Sequence, residues 1–199
     1  AVKYFTMGAL AAAFFVFGAM IFYATTGTLE LAQMAQVLSQ EGYLTTLNYS
    51  NYVLILVGFV FMFAAIGFKL SLFPYHTWVP DVYQGSTSAM AGFLSVVPKM
   101  AGFVVALRFF EIFMQVNDVI IQTMLYVTVV LTITIPNLIK LQQKDIKRML
   151  AYSSISNAGM AMAAVVIGTQ QATNALFLYW ILFLNDLLKL AKCANPAFQ

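Results

Sequence analysis

Charge is what this sequence has least of. Of its 199 residues, 9% are Asp, Glu, Lys or Arg and 62% are hydrophobic, where a soluble domain carries about 25% charged residues. That shortage excludes an ordinary soluble domain and marks an integral membrane chain; the mean hydropathy of +0.85 agrees. Cysteine is almost missing. The lone Cys193 excludes a disulfide within the chain and any cysteine-based metal site, and the lone His76 is too little for a histidine-based one. The basic residues form no stripe interleaved with aromatics, so the net charge of +3 speaks for membrane orientation and against nucleic acid. No internal repeat is visible. The chain opens AVKYF with no initiator Met, basic leader or cleavage signal, as expected of an internal piece of something larger.

What is present in quantity is long apolar runs. A spanning helix needs roughly 20 such residues, and the runs predict spans over 4–23, 52–73 with a broken extension to 84, 88–109, 119–141, 146–167 and 172–190. The fold class is therefore all-α, a polytopic transmembrane helical bundle with a discontinuous helix. Between the first two spans, Leu31, Met34, Ala35 and Leu38 share one face opposite Gln33, Gln36 and Gln40. That spacing predicts a short amphipathic helix lying at the membrane interface, as a connector or a docking element. Tyr4, Tyr23, Tyr52, Trp78, Tyr126 and Trp180 fall near span boundaries, as an aromatic belt would.

Charge asymmetry gives the orientation. With the N-terminal end inside, one side collects Lys3, Lys140, Lys144, Lys147, Arg148, Lys189 and Lys192. The other carries Glu30, Glu41, Glu111 and Asp118, with Arg108 its only basic residue. The positive-inside rule puts the first side in the cytoplasm or matrix.

The stretch GFKLSLFPYHTWVPDVYQG, residues 67–85, breaks the apolar pattern. Lys69 sits one turn before Pro74, and the chain breaks again at Pro80. A lysine within a membrane helix costs a few kcal/mol, and a broken helix frees backbone groups that hydrocarbon cannot satisfy. Both become tolerable where the segment lines an enclosed, partly hydrated cavity, which is where an ion pathway would run. Lys99 follows Pro98 near the middle of the third span. Proline at that position leaves the Leu94 carbonyl without its helical partner, for a water or the Lys99 ammonium to satisfy. Removing any ammonium from water favours its neutral form, so lysines here suit proton loading and release; static pairing with a carboxylate from elsewhere is the other reading. His76 is open to two roles, proton relay or a hydrogen-bonded support of the break. Lys140, below Pro136, is positioned to reach a cavity as a further relay, whereas Lys144, Lys147 and Arg148 read as topology determinants. Ser153, Ser154, Ser156 and Asn157 give the fifth span a polar face that either bonds neighbouring helices or lines a hydrated path.

Three motifs in order, FKLSLFPYHTWVPDVYQG, FLSVVPKMAGF and KDIKRMLAYSSIS, resemble the antiporter-like membrane subunits of respiratory complex I, NADH:quinone oxidoreductase, and most of all their chain-N type. The resemblance covers about residues 1–183. It implies a fold of about fourteen helices with two inverted five-helix repeats, of which this chain resembles helices six to eleven. Carried over by position, Lys69 matches the central channel lysine on the discontinuous helix, and Lys99 the connecting lysine on the next. Two departures stand out: Asn157 occupies a place where the family often has histidine, and NDLLKLAKCANPAFQ after Leu184 does not look like the family's eleventh helix. The family's paired glutamate and its second-half lysine would lie outside this chain.

The resemblance implies a proton-translocating subunit of the NADH:quinone oxidoreductase, its proton path running through Lys69 and Lys99. It implies no redox cofactor in this chain; NAD, FMN, Fe–S clusters and quinone would belong to the parent complex. Other membrane subunits of complex I, the lipid bilayer and protons are the expected partners, in a bacterial cytoplasmic membrane before a mitochondrial inner one. An Mrp-type sodium/proton antiporter subunit and an inactive, truncated structural fragment are the alternatives.

Overall fold

The computed structural model describes residues 2–39, 49–116 and 118–194, with side chains over 2–38, 51–114 and 118–183. The described residues form eight helices: α1 Val2–Thr26, α2 Leu31–Ser39, α3 Tyr49–Leu70, α4 Trp78–Gly85, α5 Ser88–Val116, α6 Val119–Lys140, α7 Ile146–Ile167 and α8 Gln170–Ala194. Among them α1, α3, α5, α6 and α7 are long and apolar enough to cross a membrane. Five of the six expected spans fall on these helices. The second span, on α3, however, stops at Leu70 rather than Phe73, and α5 runs on past residue 109 to Val116. The sixth expected span lies on α8; Asp186, Lys189, Lys192 and Glu41 fall outside the residues whose side chains are described.

Helix ends follow from local chemistry. Asp118 caps α6 by accepting from Ile120 and Ile121 N–H at 3.0 Å each, and Asp145 caps α7 through Lys147 N–H at 2.8 Å, each satisfying donors the first turn leaves orphaned. Gly168, at φ +67°, closes α7 in the left-handed conformation that glycine adopts without penalty.

In a membrane the packing between helices depends on close approach more than on water exclusion. Gly159 of α7 shows it: a Cβ there would sit 2.8 Å from Ile133 Cγ1 and 3.2 Å from both Ile133 N and Thr132 C on α6. Because backbone lies in the way, Gly159→Leu is expected to push α6 and α7 apart, at about 1–3 kcal/mol of overpacking strain. Thermal unfolding of the parent protein in detergent checks it; an unchanged midpoint would mean that this contact does not set the helix spacing.

Towards the end away from the basic residues, Phe22, Phe59, Phe109, Phe110 and Phe113 interlock, with the Phe59 and Phe113 rings 4.9 Å apart edge to face. The apolar face expected on α2 is there, and it lays Met34 and Leu38 into this core beside α5. Trp78 and Trp180 are not belt residues; both are 3% exposed. The Trp78 indole has work at the broken helix, whereas Trp180 packs its ring against Phe103 and its Nε1 has no hydrogen-bond partner among the described residues.

Candidate functional site

The break after α3 is a built feature. Ser71 takes φ +62°, the left-handed position usually left to glycine. With it there, Leu72 N–H bonds back to Gly67 O at 2.8 Å and Ser71 N–H to Phe68 O at 3.2 Å, the paired closure of a Schellman motif. Trp78 Nε1 then donates to the same Phe68 carbonyl at 3.1 Å, and Phe73 N–H donates to Thr132 Oγ1 on α6 at 3.0 Å. The backbone groups freed by the break thus find partners from its own turn, from α4 and from α6, as they must where no water reaches. The Phe73–Pro74 bond is cis.

Lys69 lies in the last turn of α3, where the helix's negative end attracts a cation. Its side chain is exposed and lines a cleft of about 410 Å³ with Gly8, Ala12, Phe15, Ala65 and Gly102. The sequence led us to expect an enclosed cavity. Within this chain the cleft is open, because α1, α3 and α5 wall it on one side only. Gly102 lets the end of α3 lie against α5: a Cβ at 102 would sit 2.8 Å from Leu70 Cδ2, with Lys69 Cβ next to it at 3.8 Å.

Lys99, one turn before Gly102 on that helix, is 1% exposed. Its ammonium donates to Ser154 Oγ at 2.7 Å and to Ser154 O at 2.9 Å on α7. Of the two partners open to the Leu94 carbonyl, a water or this ammonium, the ammonium is engaged at Ser154: the four-carbon stem carries the charge across to α7. Among the described residues no carboxylate lies within salt-bridge distance of Lys99, the two bridges present being Lys3–Asp81 and Arg148–Asp81. Within the described residues its partner is a neutral serine.

The polar face of α7 bonds its neighbours at each step. Ser153 accepts from Lys140 Nζ at 3.5 Å, Ser154 from Lys99, and Ser156 from Asn137 Nδ2 at 2.8 Å. Lys140 is half-buried and reaches this face, apart from Lys69. His76 is 6% exposed and stacks on Phe73, ring centroids 5.6 Å apart. Its Nδ1 has no hydrogen-bond partner among the described residues, so a hydrogen-bonded support of the break is not its role through that atom. Ser71 Oγ and the Tyr83 hydroxyl share that condition, and all three lie in the segment between Lys69 and Gln84. Buried polar atoms are nearly always satisfied; three that are not fall in this segment, and a fourth, Trp180 Nε1, lies on α8.

At the basic end, Asp81 on α4 pairs with Lys3 of α1 and, at 3.3 Å, with Arg148 of α7. Gln84 donates to Asp145 at 2.8 Å and accepts from Arg148 at 3.0 Å, while Lys147 donates to Ser86 O at 3.1 Å. These residues, read from sequence as topology determinants, also fasten the short helix after the break. The Lys3 hydrogen bond is the main cause that holds the Asp81 carboxyl below its ordinary value. A lowered carboxylate contributes stability above about pH 4 and loses it as pH falls through its folded value. We expect Asp81→Asn to remove that part of the acid sensitivity, and only a small part, since the pair is half in solvent; acid titration of thermal stability with and without the substitution measures it. An acid profile identical in both proteins would show the clamp to be broken in solution.

Sequence reasoning gave Ser154 two roles without choosing, and missed Thr132 and Tyr83. Thr132 carried a weak signal as a hydroxyl four residues from Thr128 and Pro136; Tyr83 carried none. Among the described residues no cluster of His, Cys, Asp or Glu is placed to hold a metal ion.

The comparisons with known proteins point one way. Residues 1–195 match the family model described as NADH:quinone oxidoreductase/Mrp antiporter, TM. A protein named NADH-quinone oxidoreductase subunit N from Sulfurimonas denitrificans is 57% identical over 183 residues, which is 92% of this chain and 35% of that protein. Its namesake from Helicobacter hepaticus is 49% identical over 92% of this chain and 36% of its own length. This chain thus spans about a third of the length of these relatives. Among solved structures, a chain of respiratory complex I from Thermus thermophilus with bound aureothin superposes with a TM-score of 0.68 at 35% identity, over 90% of this chain and 36% of that one. The Mrp complex from Dietzia, at 18% identity, a TM-score of 0.72 and coverage of 89% and 31%, shares the fold. A broken helix carrying a lysine, a buried lysine beside it, and a match along nearly the whole sequence together show that the chain belongs to the NADH:quinone oxidoreductase/Mrp antiporter transmembrane family.

Proposed function

We propose that this chain forms part of a proton-translocating membrane subunit of the NADH:quinone oxidoreductase, with Lys69 and Lys99 as its proton-carrying groups. The observation that carries the reading is Lys99: a fully buried ammonium whose hydrogen bonds go to a neutral serine. A charge kept out of water without a counter-charge is costly, and in a membrane such groups mark ion and proton pathways. Protons would enter along the open cleft to Lys69, pass through water to Lys99 where the two helices meet at Gly102, and leave by a second route. His76 and Lys140 are candidate relays flanking this line. Energy from quinone reduction would arrive from neighbouring subunits as a change in electrostatic field. The redox groups would sit there too, since one cysteine cannot ligate an Fe–S cluster by itself.

In this reading the other membrane subunits of the complex cover the cleft side, lipid covers the rest, and the basic end faces the cytoplasm of a bacterium. The test is proton pumping per electron in vesicles holding the full complex with Lys99→Met, which keeps the volume and removes the charge. Lost pumping with electron transfer to quinone still measurable is the expected result. Unchanged pumping would sink the proposal, and pumping that depends on sodium would move the chain to the sodium/proton antiporters.

A further inference from the structure

We propose that the Ser154 and Tyr83 hydroxyls form a proton branch joining Lys99 to the basic face of the protein. The inference rests on the proton-translocating reading above and adds the route by which Lys99 exchanges its proton.

The donors and acceptors fix a direction. A lysine ammonium only donates, so in the 2.7 Å contact Ser154 Oγ accepts. The serine's own hydrogen is then free to point elsewhere. The Tyr83 ring is 4% exposed and packs in one cluster with Ala151 and Ile155, which flank Ser154 on α7. Its hydroxyl faces Ser154 yet makes no hydrogen bond of good geometry among the described residues. A buried hydroxyl left in that state is destabilising, and natural proteins keep such groups where they have another use. One residue further along α4, the exposed Gln84 is fastened to Asp145 and Arg148 on the basic face. Half-buried Tyr4 of α1 lies beside Tyr83 and is the other titratable group next to it. Lys99, Ser154 and the Tyr83 hydroxyl thus follow one another within the bundle, the last on a short helix whose next residue is fastened to the basic face.

The transfer balances without a redox step. The ammonium's proton moves to a lone pair of Ser154 Oγ, and the serine's original proton moves to the Tyr83 oxygen. The tyrosine's original proton then passes to water beyond Gln84. Lys99 is left as a neutral amine, one hydronium appears on the basic side, and each hydroxyl is restored with its hydrogen turned the other way. Run backwards, the same steps load Lys99.

The experiment uses the full complex in vesicles. Tyr83→Phe keeps the ring and its packing and removes only the relay oxygen. The pumping rate is expected to fall by about tenfold, less than the loss of a fully committed proton-transfer group because water can partly substitute. Lys99→Met is the reference. Normal pumping by Lys99→Met would overturn the underlying reading; loss in Lys99→Met with wild-type rates in Tyr83→Phe would overturn the branch alone. A second measurement excludes a merely structural hydroxyl and does not depend on how well the phenylalanine variant assembles. A fluorinated tyrosine at position 83 is more acidic at nearly unchanged shape, and a relay through that oxygen changes the pumping rate at fixed pH while assembly stays the same. An unchanged rate would also overturn the branch.

Discussion

Lys69→Ala in the full-length parent protein is expected to cut proton pumping by about a hundredfold, the lower end of what a positioned proton-transfer group contributes, while the subunit still assembles. The two effects separate because of where the side chain lies. Lys69 is exposed in an open cleft, so removing it leaves no stranded partner among the described residues, and the Schellman closure of α3 is made by backbone atoms of Gly67, Phe68, Ser71 and Leu72. The packing forfeited is that of the lysine stem along the cleft wall, Gly102 included. Acidification of vesicles together with native-gel analysis of the complex measures both quantities. A subunit that fails to accumulate would show Lys69 to be half of an ion pair with a group beyond this chain.

Lys99→Arg is expected to lose pumping by a similar factor, although it keeps the positive charge. Arginine stays protonated in essentially any protein setting, so it can hold Ser154 but cannot hand a proton to it. Size is the complication, because Lys99 is among the largest fully buried side chains and a bulkier group strains a filled site by about 1–3 kcal/mol. Lys99→Met resolves it: if methionine assembles and arginine does not, the loss is steric, and if both assemble and neither pumps, it is chemical. Near-normal pumping rates by Lys99→Arg would rule out deprotonation at this position as an obligatory step.

How much of this was legible in the sequence differs from residue to residue. The break after Lys69 was, since Pro74 follows that lysine within five residues. The second break expected at Pro80 is not there, because that proline sits in the first turn of α4, where its missing N–H costs nothing. The construction of the break after Lys69 was not legible: nothing in a serine announces a left-handed φ, and Trp78 looked like a belt residue until its indole was seen on the Phe68 carbonyl. Lys99 as a buried cation was visible from its place mid-span. Its partner was not, because a long stem can reach any helix within its radius, and which helix lies there depends on rotations set by contacts such as Gly159 on α6. The polar face of α7 could be seen, but the choice between holding helices and lining a path needed the partners Lys140, Asn137 and Lys99. Lys69 misled in one respect. An intramembrane lysine implies an enclosed site in the whole protein, and a chain about a third as long as its relatives presents only one wall of it.

The central claim is that Lys99 changes its protonation during turnover. Infrared difference spectra of the full complex, recorded between its resting and turning-over states with isotopically labelled lysine, observe this directly. The expected result is a lysine ammonium band that changes with turnover and disappears in Lys99→Met. A lysine signal that stays constant through turnover, or one that persists unaltered in Lys99→Met, would contradict it.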